Sequence, residues 1–373
     1  MSGRIPLVDL QAQHAAIRPE LEAAWREILD TGAFVLGEPA ARFERAFAAF
    51  VGAPHAVGMN SGTDALILML EEIKRRHGPG EVVTTPFTFF ATAEAIEQAG
   101  LVTRFADIDE ATFNLDPSAA IAAAGPRTVA LLPVHLFGAC ADMDALAVSR
   151  LPLLEDAAQA VGATYKGRQA GALGLAAAFS FYPTKNLAAA GDAGAVTTAD
   201  AEFAERMRSL RAHGEVKGQG ARSYHHAEIG HNSRLDGIQA AVLTVKLRHW
   251  AAWQTAREAH AASYDEALAG VEGLVPPPRA PFGRHVYHQY VVRARRRDML
   301  KAHLEERGIE SRVFYPIPLH LQPALAHRGV RAGAFPVAER AAAEVLSLPV
   351  HPLLTASQRD RVVEAVRAFF GAR

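Results

Sequence analysis

Apolar residues recur at helical spacing over residues 10–30 and again over 40–50, and a glycine-bearing turn from Thr31-Gly32 to Leu36-Gly37 separates the two stretches. From about residue 55 to 200 the pattern changes to short apolar runs alternating with helical ones. Val82-Val83-Thr84, Val129–Pro133, Leu151–Leu154 and Ala176–Tyr182 read as strands, and Ala91–Gln98 as one of the intervening helices. Strands spaced by helices in this way predict a mostly parallel sheet covered on both faces. In such sheets ligands collect beyond the carboxyl ends of the strands, so polar residues just after each run carry the most weight.

Near residue 235 the character changes again. Leu235–Glu258 reads as one long helix rich in Ala, Leu and Val, and Val275-Pro276-Pro277-Pro278 then interrupts the chain. A Val286–Val292 strand, an Arg297–Arg307 helix and a final helix near Ser357–Phe369 predict a smaller α+β domain. A chain of 373 residues is long enough for roughly two domains, and the boundary is placed at residue 246, giving 1–246 and 247–373.

Composition narrows the function classes. Half the residues are hydrophobic, and 39 basic residues balance 40 acids, so no global positive field favours nucleic acid. The single cysteine, Cys140, excludes an internal disulfide framework and an all-thiolate zinc site. No apolar run has the length of a bilayer span, and the opening MSGRIPLVDL lacks the apolar core of a signal peptide, so the expectation is a cytoplasmic protein.

Only six of the basic residues are lysines. Lys74, Lys166, Lys217, Lys246 and Lys301 sit in charged or glycine-flanked settings and are expected to be solvated. Lys185 differs. It follows the apolar run Ala176–Tyr182 and a Pro183-Thr184 turn, and no charge follows until Asp192. A lysine at a strand's carboxyl end in apolar surroundings loses solvation, which favours the neutral amine that Schiff-base chemistry requires. Read alone, a buried and paired structural lysine fits as well.

Leu151–Leu154 ends in Glu155-Asp156, a carboxylate placed where it could hold a protonated pyridine nitrogen, or simply cap a helix. Asn60-Ser61-Gly62-Thr63-Asp64 leads directly into an apolar helix, whose free N–H groups make either a phosphate cradle or an ordinary N-cap. No Walker loop, GxGxxG or GxSxG motif is present. His225, His226 and His231 lack a carboxylate or thiol at a metal-ligand interval and read as loop histidines that contact substrate.

A phosphate cradle, an acid for a ring nitrogen and a desolvated lysine together are what pyridoxal phosphate requires. The segments SGTDAL (61–66), EDAAQA (155–160), SFYPTKNL (180–187), NSRLD (232–236) and YPIPLHLQPA (315–324) resemble those of the DegT/DnrJ/StrS sugar aminotransferases. So do IPLVDLQAQ (5–13), FVLG (34–37), TPFTFFATAEAI (85–96) and YKGRQAG (165–171), so the likeness spans the chain.

The resemblance implies fold-type I: a large α/β domain with a mostly parallel sheet and a small C-terminal α+β domain. It implies that Lys185 forms the Schiff base with pyridoxal 5'-phosphate, Asp156 binds the pyridine nitrogen, and Gln159 lies near the phenolic oxygen. Phe89 would stack on the ring, while Gly62, Thr63 and Ser180 hold the phosphate. Asn232 would reach that phosphate from a partner subunit, making the active unit a homodimer with shared sites. L-Glutamate would donate the amino group to a nucleotide-linked keto-sugar. The pairing of NSRLD with YPIPLHLQP resembles the branch that acts at C-3, on dTDP-3-keto-6-deoxyhexoses or UDP-2-acetamido-3-keto sugars; a C-4 keto-sugar, a cyclitol and a non-catalytic sensor are the alternatives. Arg234, Tyr315 and His320 stand as substrate contacts, with structural roles equally open.

Two departures from the family pattern stand out. Phe314 occupies a position before YPIP where C-3 members commonly carry histidine, which weakens the case for a charged uronate. Ala188, Ala190 and Ala193 replace residues of a stretch that is usually glycine-rich, narrowing backbone freedom beside Lys185.

Overall fold

The computed structural model describes residues 3–215, 224–277 and 282–371; Lys217 and Pro278 lie outside the described residues. Strands β1 (His55–Met59), β2 (Glu81–Thr84), β3 (Val102–Phe105), β4 (Thr128–Leu132), β5 (Leu154–Asp156), β6 (Ala176–Ser180) and β7 (Gly194–Thr198) form the principal sheet. The ladders β1-β7-β6-β5 and β3-β2-β4 are joined through the parallel bridges Leu131–Leu153 and Val134–Asp156. Every pairing is parallel except those of β7, which runs antiparallel to both β1 and β6. The expected sheet is therefore present, with one reversed strand.

Both faces of this sheet are covered, and β6 shows why its composition suits that. Ala177, Phe179 and Phe181 face one core, where Phe47 meets Phe179 and Phe181 edge-on at centroid distances of 5.0 and 5.1 Å. Ala176 and Ala178 face the other, against helix Gly62–His77. The small alanines let that helix approach closely, and Ser180, two residues on, falls on the same face.

Several boundaries differ from expectation for identifiable reasons. The helix expected over 10–30 is two helices, Leu10–Ala16 and Arg18–Thr31, broken at Ile17. Pro19 lacks an amide and its ring would meet the carbonyl four residues earlier, so the second helix starts there. The second helical stretch spans Gly37–Val51. The strand expected over Val286–Val292 begins only at Tyr290, because Val286 and Gln289 donate to Gly138 and Phe137 rather than to a neighbouring strand. The second sheet orders Leu274–Val275, Tyr290–Ala294 and Val345–Leu348 as antiparallel neighbours.

The long helix runs from Gly237 to Ala267, beyond the expected end at Glu258. Leu243 and Trp250 bury against the core that holds Phe47 and Phe179, whereas Ala261 and Tyr264 bury in a separate cluster with Tyr290 and Leu346, so the residue 246 boundary falls inside a continuous helix. Lys246 corrects an expectation. It is completely buried, and its Nζ donates to Nε2 of His14 at 2.9 Å; burial pushes its pKa down to about 8. Its helical spacing among charges looked solvated, but the N-terminal helices cover that face. Among the described residues no helix is long and apolar enough to cross a membrane.

Candidate active site

A cavity of 840 Å³ opens beyond the carboxyl ends of β1, β2, β5 and β6. Asp156, the last residue of β5, lies at its floor. Oδ2 accepts the Thr92 hydroxyl at 2.7 Å and Oδ1 accepts the Ala158 amide at 3.2 Å. Burial nevertheless pushes the carboxyl above its ordinary value, opposed by those hydrogen bonds and by the charge of Lys185. The preceding Glu155 points to the other side of the strand. There it accepts from His135 and from the amides of Gly171, Leu173 and Gly174, which hold its carboxyl low although burial alone would raise it. Neighbouring acids thus have opposite environments, and only Asp156 faces the cavity.

Lys185 is set by a turn. Its amide donates to Tyr182 O at 2.8 Å, closing a four-residue turn with Pro183 in the second position, and Ala189 N donates to Phe181 O to anchor the following loop. Lys185 also lines the cavity, and burial lowers its amine to about 8 against the opposing pull of Asp156. The neutral amine expected from its apolar surroundings is therefore accessible near neutral pH.

Helix Gly62–His77 directs its N-terminus into the same cavity, capped by Ser61 Oγ accepting from Asp64 N at 3.0 Å. A Cβ on Gly62 would lie 2.6 Å from Cβ of Ser180, so the helix start and the end of β6 meet only because residue 62 is glycine. Ser61, Gly62, Thr63 and Ser180 line the resulting hollow, which has the donors and dipole for a phosphate. Phe89, 55% exposed, supplies an aromatic wall. Gln159 accepts from Phe137 N at 2.8 Å and donates to the Tyr315 hydroxyl at 3.0 Å. A buried acid without a full counter-charge, a depressed lysine, a flat aromatic and a tight phosphate hollow fit pyridoxal 5'-phosphate.

The remaining expected residues fall elsewhere. Asn232 is exposed and outside the cavity of its own chain, bridged through its backbone to Ala212. Arg234 is partly buried, does not line the cavity, and its Nε has no partner among the described residues. His320 is buried against Phe105 and Phe335 and contacts Glu339 at 3.0 Å rather than the cavity. His226 binds the His213 carbonyl and His231 contacts Glu71, while Tyr224 and His225 lie exposed.

Sequence reasoning passed over Thr92, His288 and Arg312, all of which line the cavity. Thr92 had a visible signal, since it sits just beyond β2 in the segment TPFTFFATAEAI (85–96). His288 had none: its Nδ1 lies 3.2 Å from Oδ1 of Asn186, the neighbour of Lys185, across 102 residues of sequence. Because Asn186 Nδ2 donates to Val286 O, its Oδ1 is the acceptor, and His288 carries its proton on Nδ1. Burial, with the charges of Lys185 and Arg257, pushes His288 well below its ordinary value and keeps the ring neutral.

The chain is 46% identical to the dTDP-3-amino-3,4,6-trideoxy-alpha-D-glucose transaminase of Streptomyces venezuelae, over 98% of this chain and 96% of that protein. It is 45% identical to a Geobacillus stearothermophilus protein named pleiotropic regulatory protein, covering 98% of each. The crystal structure of S. venezuelae DesV in complex with a ketimine intermediate superposes with a TM-score of 0.94 at 44% identity, covering all of both chains. Residues 15–367 match the DegT/DnrJ/EryC1/StrS aminotransferase family, and with Lys185, Asp156 and the Gly62–Ser180 hollow lining one cavity the chain belongs to that family of pyridoxal phosphate enzymes.

Proposed function

We propose that this aminotransferase transfers the amino group of L-glutamate to C-3 of a nucleotide-linked keto-sugar. The observation that carries the reading is the convergence of Lys185, Asp156 and the Gly62–Ser180 hollow on one cavity. The cofactor, when bound, supplies an electron sink for the carbanion formed at the reacting carbon. Lys185 is the base: its amine, lowered to about 8, takes a proton at Nζ and returns it at the neighbouring carbon. Asp156 holds the ring nitrogen protonated while charge develops, so it acts on the transition state more than on binding. Thr92 and Ala158 orient that carboxylate, and Gln159, held by Phe137 N and the Tyr315 hydroxyl, would lie near the phenolic oxygen of the bound cofactor.

Position C-3 is supported by the motif pairing and by the S. venezuelae relative named above. Phe314 on the cavity wall favours a deoxyhexose over a charged uronate, since an apolar ring offers a carboxylate no counter-charge. The exposed Asn232 is consistent with a contribution to a partner's site in a homodimer. A sensor without turnover, the reading that the name of the Geobacillus relative raises, has no need for a lowered lysine facing a buried acid.

The test is the absorption spectrum of purified protein before and after L-glutamate. A band at about 410–420 nm that moves to about 330 nm reports the first half-reaction, and return of the longer-wavelength band with a 3-keto-sugar nucleotide reports the second. A band indifferent to glutamate rejects that donor. No band after reconstitution with pyridoxal phosphate rejects the site.

A further inference from the structure

Arg312 is the one guanidinium among the described residues lining the cavity. Its backbone is fixed by a two-way bridge to Ser347, with Arg312 N donating at 3.3 Å and Arg312 O accepting at 2.7 Å. Two residues earlier on the same segment, Glu310 also lines the cavity, but its carboxylate is already engaged. It accepts Leu7 N at 2.9 Å and pairs with Arg4 at 2.9 Å. Arg312 has no such engagement: its guanidinium makes no hydrogen bond or ion pair with any described residue. It is exposed at the mouth, whereas Asp156 is buried at the floor.

An unpartnered guanidinium on the wall of a concave site attracts an oxyanion and offers it a planar, two-pronged contact. Position separates the anions available. A donor carboxylate is bonded to the carbon that reacts, so its anchor must lie beside Lys185. A nucleotide diphosphate is separated from the reacting carbon by the sugar ring, so its anchor lies outward, toward the mouth, where Arg312 sits. We propose that Arg312 binds the diphosphate of the nucleotide-linked sugar, an inference that rests on the sugar-nucleotide reading above.

The experiment compares wild type, Arg312→Ala and Arg312→Lys as cofactor-loaded protein. Calorimetric titration with dTDP, UDP and inorganic pyrophosphate reads binding without turnover. Loss of one charge-assisted contact should weaken binding by about tenfold to a hundredfold in Arg312→Ala, with partial recovery in Arg312→Lys and a shallower salt dependence than wild type. Rapid-mixing measurements of the two half-reactions should place the loss on half-saturation by the sugar nucleotide rather than by glutamate. Equal diphosphate affinity in wild type and Arg312→Ala overturns the proposal, as does a wild type that binds none of the three probes. A loss confined to glutamate also overturns it, in favour of a carboxylate anchor. Diphosphate binding that depends on Arg312, in a protein that no keto-sugar returns to the longer-wavelength band, upholds Arg312 and tells against the proposed function.

Discussion

The hydroxyl of Thr92 reaches Asp156 Oδ2 at 2.7 Å, so the acid at the cavity floor is oriented by a helix that packs beside β2 as well as by the turn that follows its own strand. This contact does not cancel burial, and the carboxyl stays above its ordinary 3.8. A carboxyl raised in this way favours folding while protonated, and that contribution is lost as pH rises through its folded value. Asp156→Asn keeps a neutral group there. The cofactor-free variant should therefore unfold at or above the wild-type temperature at pH 7 by scanning fluorimetry, while its turnover falls by about a hundredfold.

Lys185 should set the pH dependence of cofactor attachment. With its amine lowered to about 8, the rate of growth of the absorbance at about 410–420 nm on mixing empty protein with pyridoxal phosphate should rise with pH and level off above about 8. A rate still climbing steeply past pH 9.5, where an ordinary lysine of about 10.4 titrates, would contradict the depressed value. Lys185→Ala should show no such band at any pH.

Gly62→Ala tests the phosphate hollow. The added methyl would sit 2.6 Å from Cβ of Ser180, and both atoms belong to backbone-anchored positions that have little room to yield. Cofactor affinity, measured by fluorescence titration, should weaken by about tenfold or more. Unchanged affinity would remove the close approach of helix and strand from the binding argument.

Lys246 is a liability of the core. The unfolded chain holds its proton up to about 10.4, whereas the folded chain gives it up at about 8. The unfolded state therefore binds more protons between those values, and stability should rise with pH across that window. Lys246→Met should abolish this slope and raise stability at pH 7 by about 1–3 kcal/mol in urea unfolding. Destabilisation by the methionine would mean that the contact with His14 outweighs its cost.

How much of this could be read from sequence varied with the range of the interaction. Asp156 directly follows an apolar run and Lys185 follows one after a short turn, so local order already placed both at strand ends, where β5 and β6 deliver them, while Gly62 was legible as the start of an apolar helix. The reversed direction of β7 had no local sign, since a five-residue run pairs equally well either way. Lys246 looked solvated because its covering residue, His14, is 232 positions away in the sequence. His320 sits in a motif that suggested substrate, but Phe105 and Glu339, which come from separate elements, enclose it. Pairings of that kind are decided by packing, which no single segment encodes.

The amide of Gln159 has each end committed to a different part of the chain: oxygen to Phe137 N, nitrogen to the Tyr315 hydroxyl. A side-chain amide is otherwise close to degenerate under a half-turn, and only its partners distinguish the two senses. Here Tyr315, 156 positions further along the chain, breaks that degeneracy for a residue of the turn that follows β5. The sense in which the amide presents itself to the cavity is thus held jointly by two segments far apart in the chain: without either one it would have one anchor fewer.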